Sequence, residues 1–131
     1  MPVAIAVSVL AAICDPFENP WTGEKFSVED VRQAVSDGRF LKSSWGASSA
    51  EWSRNDHIER VAYLVVSPDR TPVEIDVGIP SLGVYVAWPL TDGNHRLGAA
   101  VVRGDPHILA IVSGSVDHAE RLLGASLPED D

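Results

Sequence analysis

The chain has 131 residues, 45% of them apolar, enough for one respectable core but not for two independent domains. Its 19 acidic and 10 basic side chains leave a formal charge of −9, a field that repels DNA and RNA and argues against a sequence-indifferent nucleic-acid coat. Cys14, the single cysteine, excludes an intramolecular disulfide, a CxxC redox pair and a cysteine-based zinc cluster, and favours a reducing compartment.

The chain opens with "MPVAIAVSVLAAIC", which carries no charged side chain from Pro2 to Cys14. It lacks the basic start of a signal peptide and is shorter than the roughly 18 apolar residues that a membrane span needs. The expectation is a buried first strand running into a short helix, with no membrane association and a cytoplasmic location. Cys14 is expected to be structural and dispensable, because a thiol in such a run behaves as a small buried hydrophobe.

"DPFENPWTGEKF" follows, with prolines, asparagine and glycine that punctuate regular structure and mark a loop. Ser27 then caps a predicted helix over "SVEDVRQAVSDG". Glu29 and Asp30 complement its dipole, Val28, Val31 and Val35 recur at helical spacing, and Gly38 ends it. The segment from Arg39 to Asn55, rich in serine, reads as a surface loop whose Trp45 and Trp52 either pack back onto the domain or form a lid or partner surface. Asp56 is the expected cap of a second helix, with Glu59 at the reciprocal position and a buried stripe of Ile58, Val61, Ala62 and Val65.

Beyond the turn at Ser67 to Asp69, Val73, Ile75 and Val77 alternate with Glu74 and Asp76, the period of a strand with one buried face. "SLGVYVAWPL" is the next expected strand, and it leads into "TDGNHRLGAAVVRG", a turn followed by a slim, alanine-containing helix. "HILAIVSG" is a further strand. Ser115 and Gly124 bracket a last short helix, and residues 125–131 form a frayed acidic tail. The whole is an α/β chain of one domain, without repeats.

The chemistry concentrates at the turn from Asp92 to Arg96. A strand, a glycine-containing turn and a helix aim free backbone amides at an anion, and phosphate is the usual occupant. Gly93 allows unusual backbone angles and close approach of a ligand. Asn94 and His95 offer polar groups, and Arg96 can fork onto phosphate oxygens. The plainer reading of the same residues is a capped helix start with a solvated arginine. Asp92 likewise either holds Mg²⁺ beside a bound phosphate or caps the helix. His57, His107 and His118 are isolated, with no i, i+4 partner of metal-binding type, so surface or capping roles are expected and no metal site is predicted.

"DGNHRLGAA", with the strands on either side of it, resembles the ParB/sulfiredoxin-like superfamily, in which a G-x-x-R or D-G-x-H-R turn opens the helix that binds nucleotide phosphates. The resemblance covers about residues 56–114. It implies a single compact domain with a small mixed sheet and flanking helices, a nucleotide such as ATP or CTP with Mg²⁺, and a phosphate site at Gly93, Asn94, His95 and Arg96. Free serine kinases of this superfamily read D-G-H-H-R, which Asp92, Gly93, His95 and Arg96 match, and that similarity makes Asp92 and His95 the candidate catalytic residues.

Asn94 stands where sulfiredoxins carry their cysteine. An amide cannot replace a thiolate nucleophile, which excludes that activity. ParB partition proteins follow the turn with a DNA-reading module for which only one short helix remains. Asp15, Glu18 and Glu24 are candidates for the missing base only through the loop they occupy. Two classes of function stay open. One is a nucleotide-dependent phosphotransferase, hydrolase or ParB-like nuclease. The other is a regulatory or inhibitory protein-binding module of a mobile element or phage that keeps the fold without turnover.

Overall fold

The computed structural model describes residues 2–18, 25–42, 52–125 and 127. Strand β1 (Val3–Ala6) runs directly into helix α1 (Val7–Ile13), and α2 (Val28–Asp37) and α3 (Arg54–Val66) follow. Next come β2 (Val73–Asp76), β3 (Leu90–Asp92), α4 (Asn94–Arg103), β4 (His107–Ser113) and α5 (Val116–Leu123). The four strands form one mixed sheet in the order β1-β4-β2-β3, so the chain is a single small α/β domain. β4 pairs parallel with β2 and antiparallel with β1, while β3 pairs antiparallel with β2.

Register places the apolar side chains on one face. Val3 and Val73 both oppose Ala110, Ile5 opposes Ile108, and Ile75 opposes Val112 and Leu90. With period-two alternation, these residues point one way, where Ile5, Val73, Ile75, Leu90 and Ala110 pack with α1, α4 and α5 through Leu10, Leu97, Ala119 and Leu123. Glu74, Leu109 and Ile111 lie on the opposite, exposed face. Cys14 is fully buried in this core, and burial pushes its thiol pKa up.

A second core lies between helices. Val31 and Ala34 of α2, Ile58, Val61, Ala62 and Leu64 of α3, and Ala99 of α4 form it with Phe26. Helix α4 therefore belongs to both cores, Leu97 and Ala100 facing the sheet side and Ala99 the helical side. Its Gly98 faces α3, and a Cβ there would stand in ordinary contact 3.5 Å from Val61.

The predicted helix over 27–38 is present, with Ser27 and Asp30 forming a reciprocal cap and Gly38 in the left-handed region at its end. Helix α3 starts three residues earlier than the sequence suggests. Ser53 accepts from the Asp56 amide while the Asp56 carboxylate accepts from the Ser53 amide, so Asp56 is the third helical residue and not the cap. Glu59 instead faces Arg39 at 3.6 Å.

The strand expected over 81–90 shrinks to Leu90–Asp92. Pro80 opens a 3-10 turn that ends at Gly83 with φ +77°, and Ile79 bridges Val84 across it. Leu82 and Tyr85 stay 74% and 77% exposed, so the apolar residues there do not alternate onto a core. Trp45 and residues 128–131 of the expected acidic tail lie outside the described residues. Among the described residues, no helix is long and apolar enough to cross a membrane.

Gly93, between β3 and α4, has φ +110°, and a Cβ added there would run into the Val73 side chain. Gly104, at the other end of α4, also has positive φ (+77°) but has open space around it. Gly104→Ala is expected to cost only the backbone term of about 1–2 kcal/mol. Gly93→Ala adds overpacking of roughly 1–3 kcal/mol. Urea denaturation of both variants tests this, and equal losses would remove the packing argument.

Candidate functional site

The candidate site is the start of α4 and the ground in front of it. Helices α2, α3 and α5 each begin on a serine whose hydroxyl accepts from a first-turn amide. α4 begins on Gly93 and has no side-chain cap. Its first backbone bond inside the helix is from Leu97 N to Gly93 O at 2.9 Å, which leaves the amides of Asn94, His95 and Arg96 ahead of the ladder. These residues and Gly93 line a cavity of about 440 Å³ whose other walls include Trp52, Arg60, Asp69, Thr71 and Asp92.

The side chains of the turn are tied into the fold. Asn94 Oδ1 accepts from Trp88 Nε1 at 3.0 Å. Arg96 donates through Nη1 to Thr71 O (2.7 Å) and Pro72 O (3.2 Å), and through Nη2 to Asp92 Oδ2 (3.0 Å). With its side chain only 13% exposed, Arg96 staples the entry of β2 to the turn, leaving part of its donor fork for a ligand. Asp92 is 63% exposed and thus accompanies the arginine at the cavity rim. Arg60, from α3, donates to the carbonyls of Leu41 and Lys42 while lining the same cavity.

Behind the turn lies an arrangement that the sequence reading missed. His57 Nδ1 and His95 Nε2 are 2.9 Å apart, a hydrogen bond in which one ring donates and the other accepts. Trp52 stacks on His95 with centroids 5.2 Å apart, and the two imidazoles stack on each other at the same separation. His57 is 3% exposed, so the surface role expected for it is corrected: it is a buried link between α3 and α4. Its spacing of four and seven residues from Val61 and Leu64 puts it on the buried stripe of α3, the signal that identifies it.

Burial, the charge on His57 and the Arg60 guanidinium, in that order, lower the His95 pKa from 6.5 to about 3. The ring is neutral at physiological pH and a weak base, suited to hydrogen bonding more than to proton transfer. Trp52, 9% exposed, is packed onto the domain through this stack and lines the cavity.

Asp15 accepts from the Phe17 amide and Glu18 pairs with Lys25 at 3.2 Å, so neither candidate base reaches the cavity wall; Glu24 lies outside the described residues. Exposed His107 starts β4, and the His118 amide donates to Ser115 Oγ, at 3.4 Å, in the first turn of α5. Among the described residues, no group of three or more His, Cys, Asp or Glu stands where it could hold a metal ion. Compared with known proteins, the chain matches no family model, no curated protein and no solved structure.

The depressed His95 pKa couples stability to pH. Unfolded, the ring takes up a proton near 6.5; folded, it resists until about 3. Acid between those values therefore favours the unfolded chain, so this part of the stability is held above pH 6.5 and lost as pH falls toward 3. Denaturation midpoints at pH 7.5 and 5 should differ in the wild type and converge in His95→Gln. An unchanged difference in the variant would remove His95 as its source.

Proposed function

We propose that this protein binds a phosphate-bearing small molecule of nucleotide size, with one phosphate group against the first turn of α4. The observation that carries the reading is the uncapped N-terminus of α4 opening on a cavity of about 440 Å³. Unsatisfied amides and the positive end of the helix favour an anion there. Arg60 and Arg96 on the same walls add charge-assisted donors, and the volume falls within the usual range for small-molecule sites. The similarity of Asp92 to Arg96 to the D-G-x-H-R turn of the ParB/sulfiredoxin-like superfamily supports the same ligand class, ATP or CTP among its members.

Within the enzyme reading of this site, the chain would perform phosphoryl transfer or hydrolysis of a nucleotide or phosphodiester. His95 acts there as a neutral hydrogen-bonding group, because a pKa of about 3 makes it a poor proton acceptor near neutral pH. Asp92 is the carboxylate adjoining the phosphate turn, and its oxygen not bound to Arg96 is the one left for a substrate hydroxyl. Mg²⁺ brought by the nucleotide would neutralise phosphate charge, and Asp92 is the carboxylate that stands beside the turn to hold it. The regulatory alternative draws less support, because Trp52 is buried in the ring stack.

Asn94→Asp separates anion binding from folding. Aspartate keeps an oxygen for the Trp88 donor and places negative charge at a helix start, which is neutral or stabilising for the helix. The same charge repels a phosphate. Isothermal titration with inorganic phosphate, ATP and CTP, with and without Mg²⁺, is expected to give saturable binding to the wild type. Asn94→Asp should weaken it about tenfold, or roughly 1.4 kcal/mol, at an unchanged or raised melting temperature. Absence of binding to the wild type, or equal affinity in the variant, overturns the assignment.

A further inference from the structure

A second, smaller cavity of about 110 Å³ adjoins the first and shares Asp69, Thr71 and Arg96 with it. Arg70, Arg103 and Asp105 also line it. Across the two cavities, the four arginines Arg60, Arg70, Arg96 and Arg103 outnumber the three carboxylates Asp69, Asp92 and Asp105. The whole chain carries −9, so four of its 10 basic residues gather at one groove while the remaining surface is strongly acidic. An acidic protein that collects guanidinium groups in a concave place focuses its positive potential there.

The arginines differ in how far they are committed. Arg103 is held by Asp105 through Nε at 3.1 Å and Nη2 at 2.7 Å, and its Nη1 donates to Leu64 O at 2.7 Å. Arg96 is engaged with Thr71, Pro72 and Asp92. Among the described residues, Arg70 makes one ion-pair approach, 4.0 Å to Asp105, whose carboxylate already serves Arg103, and its side chain is 75% exposed. A guanidinium held so loosely at the mouth of a cavity can turn to a ligand without breaking the fold's own hydrogen bonds.

From this groove we infer that the ligand carries at least two linked anionic groups, as a di- or triphosphate does, and that Arg70 recognises the second one. The inference rests on the phosphate reading of the α4 turn for the first group. Thr71 and Arg96 line both cavities, so the two positions adjoin, and a chain of phosphates reaching from one to the other would pass Arg96. Arg70 then determines specificity, distinguishing a polyphosphate from a single phosphate.

The test titrates the full chain with orthophosphate, pyrophosphate and tripolyphosphate at fixed ionic strength. Wild-type protein should bind pyrophosphate or tripolyphosphate about tenfold or more tightly than orthophosphate. Arg70→Ala should erase most of that preference, with orthophosphate affinity falling by less than about threefold, and Arg70→Lys should restore part of it. Arg32→Ala, on the outer face of α2, changes the net charge equally and should leave the preference intact. No preference in the wild type, a preference that survives Arg70→Ala, or an equal loss in Arg32→Ala overturns the inference. If polyphosphate binding depends on Arg70 but is indifferent to Asn94→Asp, the Arg70 site stands and the helix-turn reading falls. If no phosphate compound binds, both fall together.

Discussion

Everything in this molecule depends on α4 being narrow enough to be buried on two sides at once. Gly98, Ala99 and Ala100 are all buried in it, and between them the helix meets the sheet core and the α2–α3 core. Larger side chains at these positions would separate the two cores, because interiors packed to crystal-like density tolerate little added volume. A helix wedged in this way cannot easily tilt or slide. Its N-terminus is therefore held at a set place relative to α3 and to the start of β2, the condition that a preorganised site needs.

The same wedge explains the polar residues of the turn. Gly93 sits against Val73, Arg96 ties the turn to Thr71 and Pro72, and His95 meets His57 from α3. Each contact joins the α4 start to a different neighbour: β2, the segment leading into β2, and α3. The turn is thus a structural junction and, in the proposed reading, an anion-facing helix start as well. These roles are compatible because the side chains brace the fold while the backbone amides remain at the cavity wall. His95 shows the balance most clearly, since a charged ring in that stack would cost the desolvation that burial imposes and would also meet Arg60.

Electrostatics add a second layer. A carboxylate accompanies two of the groove's arginines: Asp92 with Arg96, Asp105 with Arg103. Those pairs orient the guanidinium forks and hold the bare charge down in the absence of a ligand. In the proposed phosphate site, recognition would fall to the groups with donors left over, the first-turn amides and the exposed Arg70 guanidinium.

How much of this was legible in the chain divides along the line between local and non-local physics. Capping and periodicity act within a few residues, so Ser27, Gly38, Ser115 and Gly124 marked helix ends, and the alternation of Val73 and Ile75 marked a strand, without knowledge of the fold. The concentration of polar groups from Asp92 to Arg96 was equally visible. The residues over 81–90 were misleading because apolar content alone does not make a strand when Pro80 and Gly83 bend the backbone away from a partner. Ser53 and Asp56 formed a cap that the sequence placed three residues late, since both residues are good caps and only the surrounding structure decides which one leads. The pairing of His57 with His95 across 38 positions, the commitment of Arg96 to the carbonyls of Thr71 and Pro72, and the gathering of Arg60, Arg70 and Arg103 beside it belong to tertiary structure alone. Hydrogen bonds and charges act through space, and no spacing rule along the chain reports which distant residues the packing of α3 against α4 will bring together.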